Sequence, residues 1–319
     1  KNLLTTFPKR TNIPMARLCP DPRREMRFIQ FRRKCAPSTV RMGLISADGE
    51  QFVELAEDTC TAKCMKTLLG DACKISCDKA KCLPVEKVAD NIKLLAPILN
   101  PEKIICIHQN YNVNPDEDSP PEEPVFYCKT PNTIIGPHES IRAHPITKQL
   151  DCGIGLAVIM AKEARSVSKC NAMDYVFGYT IAQDITAADW QAENKNGGQF
   201  LMCKSMDTFL PLGPAIVHKS MIDNPYNLEM TCTLNKKIKQ KGNTKDMSFK
   251  IEDIISHLSQ CITLKTGDVI LTGTPTNDDL SSDPPEFLKV GDKLESEIQN
   301  IGKIRNRVVC VVNLPKPII

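Results

Sequence analysis

The stretch Val176-Phe-Gly-Tyr-Thr-Ile-Ala-Gln-Asp184 places a carboxylate directly after a short apolar run. The run Val176–Ala182 is bounded by polar residues and predicts a buried strand. A carboxylate at a strand end is a common position for a metal ligand or a general base. An aspartate here could instead cap a helix. The stretch therefore predicts a core strand and marks Asp184 as a candidate site residue.

Similar apolar runs, separated by glycine and proline turns, occupy the rest of the C-terminal two thirds. They predict strands at Ile104–Ile107, Ile154–Met160, Ala215–Val217, Leu228–Leu234, Asp268–Thr272, Lys293–Ile298 and Ile304–Val312. One amphipathic helix is predicted at Ile251–Cys261, because its isoleucines and Leu258 fall on one face. We therefore expect a mainly β domain with some α over residues 101–319.

The N-terminal region is expected to form a separate small α+β domain over residues 26–96. Its predicted strands are residues 25–32, Val40–Ser46 and Gln51–Leu55, joined by turns at Pro37-Ser38 and Asp48-Gly49. Thr59–Ala96 has a looser helical pattern that ends before Pro97. The domain boundary is therefore predicted near residues 97–101.

The 319 residues are 41% hydrophobic and 25% charged, which is typical of a globular protein and excludes wholesale disorder. Residues 1–34 hold ten Lys and Arg against two acidic residues, so the net charge of +3 comes from this start and the remainder is −5. Bulk charge does not indicate a nucleic-acid partner. The basic, acid-poor segment 1–25 predicts a mitochondrial transit or disordered segment; otherwise we expect a cytoplasmic protein. The longest apolar run, Ile154–Ala161, is too short to predict a membrane span.

Fifteen cysteines cannot all pair within one chain, and their scatter through apolar stretches favours free thiols in a reducing compartment. Five of them cluster, at Cys60, Cys64, Cys73, Cys77 and Cys82. Thiolates on neighbouring helical turns can converge on a zinc ion. The other interpretation is a helix in which buried cysteines are frequent.

Two glycines two residues apart leave one face of a predicted strand empty. Asp151, Gly153 and Gly155 share that face, because alternate residues of a strand point the same way. Glycines there pack nothing and cost backbone entropy. The pattern indicates either a bulge, a close approach of another backbone segment, or side chains that have been lost.

Two loop motifs also carry candidate groups. Lys204 begins a segment rich in proline and glycine that can carry a lysine into a cleft or lie on the surface. Thr274, in Leu271-Thr-Gly-Thr-Pro275, follows a strand and could contribute its hydroxyl to an anion nest.

From Met26 to Val309 the chain resembles the fumarylacetoacetate hydrolase family. The motifs that carry the resemblance are Glu25-Met-Arg-Phe-Ile-Gln-Phe-Arg, Asn110-Tyr111, Pro124-Val-Phe-Tyr-Cys-Lys129, Ile135-Gly-Pro137, Val176–Asp184, Asp189-Trp-Gln191, Lys204–Pro214, Gly267–Pro275 and Phe287–Asp292. The resemblance implies a mixed β-roll catalytic domain, a homodimer or a heterodimer with a homologue, and Mg²⁺ or a similar ion such as Mn²⁺ or Ca²⁺. It implies keto–enol tautomerisation of oxaloacetate, or C–C hydrolysis of small oxo- or diketo-acids.

The same resemblance assigns roles to individual positions. Asp184 matches a metal ligand, Glu117 and Lys204 match catalytic positions, and Tyr111, Gln191, Gln240 and Thr274 match substrate-side positions. The family's two other metal ligands, a Glu-x-Glu pair, fall on Gly153 and Gly155 in this sequence. The family's catalytic histidine falls on Asn114, which cannot act as a base near neutral pH, and an expected arginine is Ala188.

Three hypotheses follow from these departures. The first is a family member with the inherited fold and an impaired site. The second is a working enzyme that recruits Asp151, Asp189 or Glu117 to a shifted metal ion. The third is a non-catalytic protein that dimerises with an active relative or binds an oxo-acid through Thr274 and Lys204.

Overall fold

The computed structural model describes residues 21–22, 25–55, 64–70, 83–111, 121–192, 194–275 and 286–311. The first strands in this part of the chain are β1 (Arg27–Arg33), β2 (Ala36–Ile45), β3 (Gln51–Glu54), β4 (Glu86–Lys87), β5 (Ile92–Leu94), β6 (Ile104–His108), β7 (Val125–Lys129), β8 (Ile134–Ile135), β9 (Ile141–Ala143) and β10 (Leu150–Asp151). They are followed by β11 (Ile154–Met160), β12 (Val176–Gln183), β13 (Thr186–Ala187), β14 (Leu210–His218), β15 (Glu229–Leu234), β16 (Lys237–Asn243), β17 (Val269–Leu271), β18 (Lys293–Ile298) and β19 (Gly302–Cys310). The α-helices are α1 (Met65–Leu69), α2 (Val88–Asn91), α3 (Phe200–Lys204) and α4 (Ile251–Cys261).

The strands form one large and one smaller sheet. The large sheet has twelve strands and runs β4-β3-β2-β1-β14-β12-β11-β17-β6-β7, with β5 added beside β1 and β8 beside β14. The smaller sheet runs β16-β15-β18-β19-β9, and β10 pairs with β13 alone. The expectation of a mainly β fold with some α is confirmed. None of the helices in the described ranges is long and apolar enough to cross a membrane.

The N-terminal strands continue the large sheet, because β1 pairs antiparallel with β14. Phe28 lies opposite Ile216 in this register and packs edge to face against Phe177, with ring centroids 5.3 Å apart. The Arg27 guanidinium also donates to the carbonyl oxygens of Asn300 and Ile301, at 2.7 and 3.0 Å. Residues from both sides of the predicted boundary therefore share one core, and the division into two domains stays a prediction.

Several predicted elements differ from the observed ones. The turn at Pro37-Ser38 was wrong, since β2 already begins at Ala36, which pairs with Arg33. The helical interpretation of Thr59–Ala96 was wrong at its end, where Ile92–Leu94 is a strand with buried Ile92 and Leu94 and exposed Lys93. Alternation with a period of two outweighed helix propensity there.

The strands β7 and β16 were not predicted. The first has an exposed apolar surface at Val125 and Phe126, and the second is rich in lysine. The composition of β7 favours a strand, whereas the lysines of β16 do not, and pairing with β6 and with β15 stabilises the two strands.

The register between β11 and β12 positions the candidate site. Ile154 pairs with Gln183 and Gly155 with Ala182, so the first residues of β11 lie beside the last residues of β12. The Asp184 amide then donates to the Gly153 carbonyl oxygen at 2.8 Å. The two glycines and the aspartate that the sequence singled out are therefore neighbours.

Replacing Phe28 with alanine should lower the free energy of unfolding by about 3–5 kcal/mol, because Phe28 is buried and contacts Phe177 in the shared core. The matched control is Val40→Ala in β2, where the side chain is exposed and the change should stay within about 0.5 kcal/mol. Urea unfolding measures both. Two separate transitions, with only one shifted by Phe28→Ala, would contradict a core shared across the predicted boundary.

Candidate functional site

Asp184 is held by two lysine side chains, one on each carboxylate oxygen. Lys129, the last residue of β7, donates from Nζ to Oδ1 at 2.6 Å. Lys204, the last residue of α3, donates from Nζ to Oδ2 at 2.6 Å. The Tyr127 hydroxyl also donates to Oδ2. Both oxygens of the predicted metal ligand are therefore already bound to cations.

Each lysine has a second acceptor that holds it in place. Lys129 also donates to the Ile185 carbonyl oxygen at 3.0 Å, and its side chain has no exposed surface. Lys204 also donates to Thr186 Oγ1 at 2.7 Å and lies 4.6 Å from the centre of the Tyr127 ring. Lys204 keeps a small exposed fraction of 9%. Of the two lysines, Lys204 is the one that a small solute could contact.

The charges in this cluster are strongly coupled. Burial opposes ionisation of Asp184, but attraction to Lys129 and Lys204, together with their hydrogen bonds, holds the pKa of its carboxyl well below its usual range. Burial lowers the pKa of Lys129, and the Asp184 charge opposes that shift. Burial and the Asp184 charge raise the pKa of Tyr127. The Tyr127 hydroxyl therefore stays neutral. By formal charge, two lysines and one carboxylate give the cluster a net positive charge.

The empty face at Gly153 and Gly155 is closed by a neighbouring backbone segment. A Cβ atom at Gly155 would lie 2.5 Å from the Gly273 carbonyl oxygen. A Cβ atom at Gly153 would lie 2.9 Å from Thr274 Oγ1 and 3.1 Å from its carbon atoms. Contacts under 3.0 Å require the neighbour to move. The close backbone approach, one of the interpretations of this glycine pattern, is therefore observed.

Gln240 and Thr274, two predicted substrate-side residues, are brought together. The Gln240 Oε1 atom accepts from the Ile154 amide at 3.0 Å. Its Nε2 atom donates to Thr274 Oγ1 at 3.2 Å and to the Pro275 carbonyl oxygen at 3.0 Å. Gln240 thus connects the start of β11 to the segment that covers the glycines. In this arrangement, the side-chain amide of Gln240 forms its hydrogen bonds within the protein.

The other two predicted substrate-side residues lie in different surroundings. Tyr111 is buried, and its hydroxyl lies 3.3 Å from Thr272 Oγ1 within the main core. Gln191 follows the 3₁₀ turn Ala188–Trp190 and is half-buried. Their roles as substrate contacts stay predictions.

The carboxylates considered for a shifted metal ion have other partners. Asp189 accepts from Thr147 Oγ1 at 2.5 Å and lies 3.4 Å from Lys195 Nζ. Asp151 lies 3.9 Å from the buried Lys239 ammonium. Within the described ranges, no three or more His, Cys, Asp or Glu side chains are grouped so that they could hold a metal ion.

Asn114 and Glu117 lie outside the described residues. So do Cys60, Cys73, Cys77 and Cys82 of the cysteine cluster. Cys64, the remaining member, is exposed, and its sulphur lies 3.2 Å from Thr67 Oγ1. The zinc hypothesis for this cluster stays a prediction.

Three residues near Asp184 were not assigned roles from the sequence: Lys129, Tyr127 and His108. His108 ends β6, and its ring packs edge to face against Tyr127 and Phe200 at centroid distances of 6.2 and 5.4 Å. Burial and the Lys204 charge lower the pKa of this histidine. The available signal was an apolar strand that ends in a lysine, Val125-Phe-Tyr-Cys-Lys129.

The divalent ion that the resemblance implies does not fit the side chains as they are arranged. An incoming dication would have to displace two ammonium groups that bind Asp184 at 2.6 Å. Mg²⁺ requires several oxygen ligands in near-octahedral geometry. The positions for two of those ligands are glycines whose side-chain directions are blocked by Gly273 and Thr274.

Comparison with known proteins finds similar sequences and a similar fold. Residues 103–309 match the family model described as fumarylacetoacetate hydrolase C-terminal. The chain is similar to the mitochondrial oxaloacetate tautomerase of Xenopus laevis, with 40% identity over 97% of this chain and 96% of the relative. It is similar to an oxaloacetate tautomerase of Bacillus subtilis (strain 168), with 42% identity over 68% of this chain and 73% of the relative. A solved structure of fumarylacetoacetate hydrolase from Exiguobacterium antarcticum superposes with a TM-score of 0.78 at 30% identity, covering 89% of this chain and 99% of that one.

Replacing Asp184 with asparagine should destabilise the protein by about 3–5 kcal/mol, because two buried ammonium groups lose their counter-charge. The matched control is Asp207→Asn, where the side chain is 54% exposed and the change should be within about 0.5 kcal/mol. Chemical denaturation of both variants measures the difference. Equal effects at the two positions would show that the Asp184 cluster is not desolvated.

Proposed function

Because the chain belongs to the fumarylacetoacetate hydrolase family, we propose that it is an oxaloacetate tautomerase by descent whose metal-dependent turnover is impaired. The observation that carries the proposal is the binding of both Asp184 oxygens by Lys129 and Lys204. The names of the relatives favour tautomerisation over C–C hydrolysis as the inherited activity.

Tautomerisation of an oxo-acid develops negative charge on the enolate oxygen, and a base must move the proton. When bound, a divalent ion supplies positive charge at that oxygen. In this chain, the positive charges nearest to Asp184 are the ammonium groups of Lys129 and Lys204. The Asp184 carboxylate already neutralises one of these two charges. With asparagine in place of the family's histidine at position 114, the proton-transfer step also lacks its inherited base. The positive charge that stabilises the enolate oxygen and the base that moves the proton are therefore both weakened in this chain.

The alternative of a shifted metal ion depends on residues with competing partners. Asp189 accepts a hydrogen bond from Thr147 and forms an ion pair with Lys195, and Asp151 forms an ion pair with Lys239. Glu117 is the carboxylate on which this alternative mainly rests.

The alternative of an oxo-acid binder or dimer partner is favoured by the charge of the site. The net positive charge around Lys204 suits a small carboxylate, and such binding needs neither metal nor base. We also propose that the chain forms a homodimer or pairs with a homologue. A mitochondrial location is proposed from the basic N-terminal segment and the mitochondrial relative, while the bacterial relative shows that the family is not confined to that organelle.

Titration of the purified chain with MgCl₂ or MnCl₂ in a calorimeter should give no saturable binding below about 1 mM ion, with or without oxaloacetate, because lysines occupy the Asp184 oxygens. In the same buffer, the ultraviolet absorbance of enolic oxaloacetate should decay no faster than without protein. The Bacillus subtilis relative serves as the positive control. Tight metal binding by this chain would support recruitment of other ligands, whereas binding of oxaloacetate alone would support the oxo-acid binder.

Restoring the inherited residues with Gly153→Glu, Gly155→Glu and Asn114→His should not restore Mg²⁺-dependent turnover. The reason is that a side chain at position 155 collides with the Gly273 backbone. The single variants give the internal control. Gly155→Glu should lower the unfolding midpoint more than Gly153→Glu, which meets the side chain of Thr274. A gain of activity in the folded triple variant would show that only the ligands were lost.

A further inference from the structure

A cavity lies among the N-terminal strands of the large sheet, beside α2 and β5. Its volume of about 570 Å³ falls within the range of roughly 300–1,000 Å³ that is usual for small-molecule sites. Lys34, which follows β1, and Glu50, which precedes β3, both line it. The residues that line this cavity do not include any member of the Asp184 cluster, so it is separate from the candidate site.

One wall of the cavity is aliphatic. Ile92 and Leu94 on β5 are 5% and 6% exposed and belong to a small cluster of core residues. Val88 of α2 packs against the same cluster, and all three side chains line the cavity. An aliphatic side chain placed on this wall would remove apolar surface from water and extend the cluster. The wall therefore favours a ligand with an apolar side chain.

Lys34 and Glu50 bring opposite charges to the cavity, and both contact α2. Lys34 Nζ donates to the Ala89 carbonyl oxygen at 2.5 Å, and the Glu50 carbonyl oxygen accepts from the Val88 amide at 2.9 Å. In the part of the chain that the structure describes, neither the Lys34 ammonium nor the Glu50 carboxylate forms an ion pair. An ammonium has three N–H donors, so Lys34 keeps two for a ligand. Because the two residues bond to consecutive residues of α2, their charges can meet the two ends of one small ligand.

The other titratable groups at the cavity add no net charge. Lys93 lines the cavity, but its ammonium lies 2.8 Å from the Glu139 carboxylate. Desolvation lowers the pKa of the His138 imidazole, which favours its neutral form. Lys34 and Glu50 therefore leave one positive and one negative charge for a ligand.

We propose that this cavity binds a free α-amino acid with an apolar side chain, such as leucine. Lys34 binds the α-carboxylate and Glu50 binds the α-ammonium, while the side chain packs on the aliphatic wall. Hydrogen bonds between charged groups are stronger than those between neutral groups, so a zwitterion uses both ends of the cavity. An oxo-acid has no ammonium group and would leave Glu50 without a partner. Binding here needs neither a metal ion nor turnover, so the inference stands or fails separately from the proposed function.

The test is calorimetric titration of the full chain with L-leucine. We expect saturable binding of one leucine per chain with a Kd below about 1 mM. Three probes should each bind at least about tenfold more weakly: L-leucinamide, which lacks the carboxylate, N-acetyl-L-leucine, which lacks the ammonium, and glycine, which lacks the side chain. No saturation by leucine up to about 10 mM, or equal affinities for leucine and N-acetyl-L-leucine, would overturn the proposal.

Three variants locate the binding site. Lys34→Met and Glu50→Gln should each weaken leucine binding at least about tenfold, because each removes the partner of one charged end of the ligand. The matched control is Lys148→Met, an exposed lysine that does not line the cavity, and it should keep the wild-type affinity. Lys34 and Glu50 are exposed, so the thermal midpoints should change little and would show that the variants are folded. Wild-type leucine affinity in both cavity variants would overturn the proposal, and the probe series on the wild-type chain decides it even if a variant fails to fold.

Discussion

The arrangement around Asp184 depends on a buried carboxylate that must be paired. Removing a charge from water is costly, and the cost is recovered only when counter-charges and hydrogen bonds replace the lost solvent. Lys129 from β7 and Lys204 from α3 meet this requirement at the end of β12. The pairing also links elements that are distant in the sequence. The same contacts that stabilise the fold leave Asp184 without a free oxygen for a metal ion.

The second constraint is the space above Gly153 and Gly155. With no side chains there, the segment Gly273–Pro275 lies against β11, and Gln240 bonds to both. A strand with two glycines would otherwise leave an unfilled face beside a charged cluster. The approach of this segment fills that face.

The strongest local signals in this sequence belong to its buried strands. Val176–Ala182 and Ile154–Met160 were recognised as strands because they are short apolar runs that contain β-branched residues and end at polar or glycine-rich segments. The strand Lys237–Asn243 was missed because it is stabilised by pairing with β15, which no local pattern reports. Asp184, Lys204 and Thr274 were singled out from motifs and Gln240 from the family resemblance, but Lys129 was not assigned a role. Its importance comes from a contact with a residue on another strand.

The sequence by itself determined the mainly β class, the family, and the absence of carboxylates at Gly153 and Gly155, because these depend on residue identity and local period. Only the tertiary structure decided what replaced the missing groups. Two lysines from separate elements converge on Asp184, and the segment Gly273–Pro275 lies over the glycines. The physical reason is that burial and pairing energies depend on contacts between distant segments, and a linear pattern does not contain those distances.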